Sequence, residues 1–145
     1  MRHGEAGQAP RDADRPLTDG GRRQAQSSAR GLKLLGAAPS LLWHSPYRRA
    51  VETAGIVADV FGLTSLTPDP RFTPDASVKA AAMAVLAARS SVIVVAHMPI
   101  LPGIVSLLCG GPCFFSTAGI AWLDVVDGAA TMSGLYPAST LEHLR

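Results

Sequence analysis

The chain is predicted to fold as an α/β three-layer sandwich: a mostly parallel central sheet, helices on both faces and an antiparallel hairpin at the C-terminal end. Two observations lead there. Stretches with apolar residues at helical spacing alternate with short apolar runs along most of the sequence. Two strand-like segments joined by Asp127-Gly128, a tight-turn dipeptide, then close it.

A first helix is expected to begin at Thr18 or Asp19, either of which can cap it, and to run to about Leu35. Ala25, Ala29, Leu32 and Leu35 recur at spacings of three and four and form one apolar face. Gly36-Ala37-Ala38-Pro39 stops it. Leu41-Leu42-Trp43-His44 reads as a short buried strand, cut off at Ser45-Pro46 because a residue before proline is pushed away from helix. A second helix over residues 48–61 carries Ala50, Ala54, Val57 and Phe61 on one face. Residues 64–75, with Pro68, Pro70 and Pro74, form a loop with one short strand near Leu66. A third helix over about 76–89 leads into a strand over 91–96, and Pro99 sits at the first turn of a fourth helix ending near Cys109. Residues 118–126 and 130–136 make the closing hairpin.

At 145 residues the whole chain, 1–145, is expected to be one domain with a substantial core, since 48% of its residues are apolar. A net charge of +2 is too mild to imply nucleic acid or an anionic membrane as partner. Apolar runs break well short of the roughly 20 residues of a membrane span. No charged leader followed by an apolar core opens the sequence. Cys109 and Cys113 cannot make a disulfide framework and read as small apolar fillers around a Gly-Gly-Pro turn. A reducing, cytoplasmic location is expected.

The chemistry gathers where strands end. Arg2 and His3 stand at the start, Ser45-Pro46-Tyr47-Arg48-Arg49-Ala50 follows the first predicted strand, and His97 ends the run Ser91-Val92-Ile93-Val94-Val95-Ala96. In open α/β sheets ligands bind beyond the carboxyl ends of strands, so these three motifs converge on one edge. A neutral imidazole is a nucleophile near neutral pH and can carry a phosphoryl group covalently. Phosphoryl transfer asks otherwise for in-line positioning and cancellation of charge, and the arginine fork suits the second task. Arg48 and Arg49 oppose the dipole at the start of their helix, a small cost that an anion would offset. His44 and His143 read as structural or surface residues.

Arg-His-Gly at the start, Ser-Pro-x-x-Arg-Ala midway and a strand-ending histidine resemble the histidine phosphatase superfamily. Arg15-Pro16-Leu17-Thr18 with Gly21 and Gln24-Ala25, then Val95-Ala96-His97-Met98-Pro99 and Thr117-Ala118, are similar to its compact SixA-type branch of phosphohistidine phosphatases. The resemblance implies that His3 is the phosphate-accepting nucleophile and that Arg2 and Arg49 are phosphate ligands. It makes His97 the second pocket histidine and Arg15 a rim residue. It implies no cofactor and no metal. The expected function is a metal-independent phosphatase working through a phosphohistidine intermediate, on phosphohistidine of a protein or on small phosphomonoesters. The second reading is a phosphatase-like scaffold that binds phosphate or a protein partner with little turnover.

A general acid is not evident. Glu5, Asp69 and Asp75 are the candidates, with Glu5 better placed to buttress its loop. The lack favours substrates whose leaving group departs easily, such as a phosphoramidate, over alkyl phosphates. A short chain also implies an open, shallow site, suited to a phosphorylated protein surface or to an indiscriminate set of small phosphomonoesters. The resemblance further implies a buried strand of about five residues before Arg-His-Gly, in the middle of the sheet; Met1 alone stands there. Two readings are open: an upstream strand completes the sheet, or the flanking strands close up or admit a segment of another molecule, which would make a homodimer.

Overall fold

The structure is a computed structural model that describes residues 1–145. Its first long helix, α1 (Asp19–Leu34), is capped by the Thr18 side chain, which accepts from the Gly21 N–H, and Asp19 lies in the favourable first turn. Gly21, Ala25, Ser28, Ala29, Gly31 and Leu32 form its buried face. Leu35, which spacing alone puts on that face, lies past the last turn and is exposed. Strand β1 (Leu41–His44) leads into α2 (Arg48–Phe61), closed by Gly62 in the left-handed region at φ 71°. β2 (Thr67–Pro68) is a two-residue strand, so most of 64–75 is loop, as the prolines require. α3 (Val78–Ala87) and β3 (Val92–Val95) follow, then α4 (Ile100–Cys109), with Pro99 one position outside the helix. β4 (Ile120–Val126) and β5 (Ala129–Tyr136) form an antiparallel hairpin with a bulge at Trp122/Leu123. Asp127 and Gly128 both have positive φ, as the primed two-residue turn demands. A short α5 (Ala138–Leu141), which no periodicity announces, docks where Gly31 leaves room for the Leu141 backbone.

The sheet is parallel with order β2-β1-β3, and helices cover both faces. One core holds Ala25, Ala29 and Leu32 of α1, Ala50, Ala54 and Val57 of α2, and Leu42 and Val95 from the sheet. The other holds Phe72, Ala81, Ala82, Ile100, Leu101, Ile104, Val105 and Phe115, with Trp43 and Val94 packed against it. Alternation along the strands thus feeds both layers. No helix is long and apolar enough to cross a membrane. Cys109 and Cys113 are free, partly buried and packed against the second core.

The flanking strands do not close up at the place where a strand is expected before Arg-His-Gly. Residues 1–3 occupy the end of that place. On one side Ala96 N–H donates to Met1 O at 3.0 Å and His3 N–H to Ala96 O at 3.1 Å, in parallel sense. On the other, Arg2 N–H donates to Gly119 O and Ala118 N–H to His3 O, each at 2.9 Å. These three residues therefore stitch the hairpin to the parallel sheet and hold His3 at its carboxyl edge.

Beyond His3 the backbone passes against the first turn of α1 so closely that only glycine fits. A Cβ on Gly4 would lie 2.3 Å from Gly21 O, and one on Gly21 2.1 Å from Glu5 O. Gly4→Ala is expected to destabilise the fold by about 3 kcal/mol, because backbone on both sides must move. Urea unfolding checks this; a midpoint unchanged from the parent would show that the loop yields freely.

Candidate active site

Ser45 and His97 follow β1 and β3, His3 follows the Arg2–Ala96 bridge, and Arg49 comes from the first turn of α2, so three segments meet at one edge. The loop after His3 folds back on itself, with Ala6 bridging Leu17 and Gly7 N–H donating to Pro16 O at 2.8 Å. That return lays Asp12 over Arg49.

His3 is 7% exposed. Its Nδ1 lies 2.7 Å from Gly4 O, and a carbonyl can only accept, so Nδ1 carries the hydrogen and Nε2 keeps its lone pair. Arg49 Nε donates to that Nε2 at 3.2 Å. The His97 ring centroid stands 5.1 Å from that of His3, and Tyr47 meets His97 edge-on at 5.2 Å. His97 Nε2 and Ser45 Oγ share a 2.7 Å hydrogen bond, and Ser45 Oγ also accepts from Tyr47 N–H. Thr53, fully buried, donates to Arg49 O at 2.8 Å and accepts from Gly4 N–H at 3.1 Å, tying the His3 loop to α2.

The arginines differ sharply in setting. Arg49 is 5% exposed, while its neighbour Arg48 faces solvent and pairs with Glu52 along the helix at 3.3 Å. Arg49 also donates to Asp12 O at 2.7 Å and to Asp12 Oδ2 at 3.1 Å. Arg2 Nη1 donates to Phe115 O at 2.8 Å. Arg15 reaches Gly7 O and, at 3.2 Å, Asp12 Oδ1, a position at the rim. Three buried side-chain polar atoms have no partner in the protein, and two of them, Arg2 Nε and His97 Nδ1, belong to this site; the third is Ser28 Oγ in α1. Orphans of this kind cost free energy unless a ligand or water meets them.

Electrostatics says the same. Burial lowers the Arg2 guanidinium, and the charge of Arg49 adds to this. Burial also pushes His3 down to about 4, with Arg49, Arg2 and Arg15 reinforcing it against the Gly4 carbonyl bond. Burial, then the neighbouring His3 and Arg49, push His97 down to about 3. Burial alone would raise the Asp12 carboxyl, but hydrogen bonds from Arg15 and Arg49 outweigh it and hold it below its usual range. The result is a cationic pocket with two neutral imidazoles, one offering a lone pair, and it calls for an anion.

The depressed imidazoles set a pH dependence. In the unfolded chain a histidine titrates near its ordinary value of about 6.5. As pH falls from there towards 4, the unfolded state takes up protons that the native rings refuse. Stability is therefore lost on acidification, by about 1.4 kcal/mol per pH unit for each ring once well below pH 6.5. Urea midpoints measured from pH 8 to pH 4.5 should decline steadily; a flat profile would contradict the neutral, buried rings.

None of the three candidate acids is hydrogen-bonded to this cluster. The Glu5 carboxylate accepts from Thr18 Oγ at 3.1 Å, bracing the start of α1. Asp69 is bound by Arg71, whose hydrogen bonds hold its carboxyl below the usual range and so suit it poorly to donate a proton. Asp75 is exposed before α3. His44 is buried with Nδ1 on Ser45 O, and His143 lies at the surface. Asp12 and Thr53 are not signalled by the sequence motifs. Thr53, one helical turn after Arg49, is the more legible, since a threonine on an apolar helix face needs a partner. No three His, Cys, Asp or Glu side chains are grouped to hold a metal ion.

Residues 1–73 match the family model described as histidine phosphatase superfamily (branch 1). The phosphohistidine phosphatase SixA of Escherichia coli (strain K12) is 34% identical over 129 residues, covering 83% of this chain and 80% of that protein. The structure of the protein histidine phosphatase SixA complexed with tungstate aligns with a TM-score of 0.90 at 31% identity, over 97% of this chain and 96% of that one. The SixA structure from Agrobacterium tumefaciens aligns with a TM-score of 0.81 at 25% identity, over 92% of each chain. With its first half matched by the family model and its fold shared along nearly all of its length, this chain belongs to the histidine phosphatase superfamily, in the compact SixA-type branch.

Proposed function

We propose that this chain, acting as one domain over residues 1–145, is a metal-independent phosphohistidine phosphatase whose nucleophile is His3. The observation that carries the reading is the His3 ring: Nδ1–H is fixed on Gly4 O, and the Nε2 lone pair sits beside the Arg49 guanidinium. The SixA relatives, named for phosphohistidine, support the same substrate class.

In the first step His3 Nε2 attacks phosphorus, a new N–P bond forms, and the bond to the leaving group breaks with its electron pair. Arg2 and Arg49 cancel charge on the non-bridging oxygens, and His97 adds a third polar group to the transferring phosphoryl. Water then cleaves the His3–phosphorus bond and releases phosphate. Asp12 and Asp69 are held by arginines and Glu5 accepts from Thr18, so the leaving group must depart without a strong acid. Imidazole of phosphohistidine does so more readily than an alkoxide. The partner is accordingly a phosphorylated protein, with small phosphomonoesters as poorer substrates.

The test is to quench turnover of a radiolabelled phosphohistidine protein without acid and map the label. Label that is acid-labile, alkali-stable and confined to the peptide containing His3 supports the reading. Turnover with no label on that peptide overturns it.

A further inference from the structure

Ser45, which neither step of phosphoryl transfer uses, is fixed on every side. Its N–H donates to Val95 O at 3.0 Å, carrying the pairing of β1 with β3 one residue further. Its carbonyl lies 2.9 Å from His44 Nδ1, which must therefore donate to it. Pro46 has no N–H, so the first main-chain donor that can fold back onto the Ser45 hydroxyl is that of Tyr47, at 3.2 Å. The side chain is fully buried, and its hydroxyl has one further partner, His97 Nε2, at 2.7 Å.

These partners settle where the hydrogens lie. The Tyr47 N–H can only donate, so it takes one lone pair of the hydroxyl oxygen. Burial pushes His97 down to about 3, so near neutral pH one ring nitrogen carries hydrogen and the other a lone pair. Were the hydrogen on Nε2, the Ser45 hydroxyl would have no acceptor for its own hydrogen, and the Nδ1 lone pair would have no donor. Two buried groups would go unmet. When Ser45 donates to Nε2 instead, only Nδ1–H is unmet, and the arrangement with fewer orphans is the stable one.

We propose that Ser45 is a positioning residue: by donating to Nε2 it keeps the His97 hydrogen on Nδ1, so that His97 meets the transferring phosphoryl group as a neutral hydrogen-bond donor. What Nδ1–H binds rests on the phosphatase reading; where the hydrogen sits does not. The two imidazole rings stand 5.1 Å apart between centroids, so a phosphoryl group carried on His3 would lie against His97. Arg2 Nε is the other unmet donor of the site. Two donors without acceptors beside one nucleophile are answered by an anion with several oxygens. In the opposite tautomer a lone pair would face those oxygens and repel them. Ser45 thus draws from a neutral ring the donor that an imidazolium would otherwise supply, which suits a ring that burial keeps from taking a proton.

The test is spectroscopic first. Long-range ¹H–¹⁵N spectra of the 145-residue protein, labelled at its histidines, report which nitrogen of each ring is protonated, and His97→Asn identifies the His97 signals. His97 should be Nδ1–H in the parent, and its Nδ1 proton should move downfield with inorganic phosphate added to saturation. In Ser45→Ala the ring should become a mixture with at least about a third Nε2–H. That variant should also lose about 10²-fold in kcat on a phosphohistidine protein, with KM within about threefold of the parent. A parental His97 protonated on Nε2 overturns the proposal, as does Ser45→Ala with the parental tautomer or with parental kcat. Failure of the phosphatase reading alone would show differently: no turnover by the parent, with its Nδ1–H ring and the response to phosphate intact.

Discussion

On the proposed mechanism His3→Ala is expected to lower turnover of a phosphohistidine protein by at least about 10⁴-fold, because it deletes the group that would form the covalent bond. The remaining cluster would still bind phosphate. Arg2, Arg49 and His97 are held by Phe115 O, Asp12 and Ser45, none of which depends on the His3 ring. Turnover and phosphate affinity should therefore separate, the first collapsing while the second stays within about tenfold of the parent. Single-turnover rates and phosphate inhibition constants read the two independently. A His3→Ala protein with more than about a tenth of parental turnover would require another nucleophile.

The helices were legible because their signals are local. α2 runs over residues 48–61 as its spacing requires, with Pro46 before it and Gly62 after it. The distinction between Arg48 and Arg49 was legible from motif position, and physically it is one of face: the helix turns Arg48 to solvent and Arg49 inward. What could not be read is long-range. Asp12 reaches Arg49 because the loop folds back through the Ala6–Leu17 bridge, and nothing in the local pattern announces that return. Nor does spacing show that three residues can bond to Ala96 on one side and to Gly119 on the other. α5 escaped for a different reason: four residues hold too little periodicity to register, and its placement depends on Gly31 across the fold.

The same contrast explains the candidate acids. Charge alone drew attention to Glu5, Asp69 and Asp75, yet a carboxylate acts as an acid only where its surroundings favour the protonated form. Arg71 does the reverse at Asp69, and Thr18 occupies Glu5 at the helix start. Asp12, which does touch the cluster, is likewise held ionised by two arginines. It occupies the Arg49 fork, so on the proposed mechanism an incoming phosphate would displace a carboxylate that already has the right charge.

Arg49→Lys is expected to reduce kcat/KM by about 10²- to 10³-fold although the charge is kept. The guanidinium does three things at once that an ammonium cannot. Its Nε donates to Nε2 of His3, the proposed nucleophile, while Nη1 and Nη2 are directed to Asp12. A bound phosphoryl group can take over those outer donors while Nε keeps the ring in place. Lysine presents a single point charge on a flexible stem, so it can neutralise one oxygen or steady the imidazole, but not both. The loss should fall mainly on kcat, since charge attraction to the ground state survives and the paired donors matter most as charge shifts in the transition state. Arg48→Lys is the matched control: that side chain is exposed and pairs only with Glu52, so its rate should stay within about twofold of the parent. Equal losses in the two variants would mean that charge at the start of α2, rather than the Arg49 fork, is what the reaction uses.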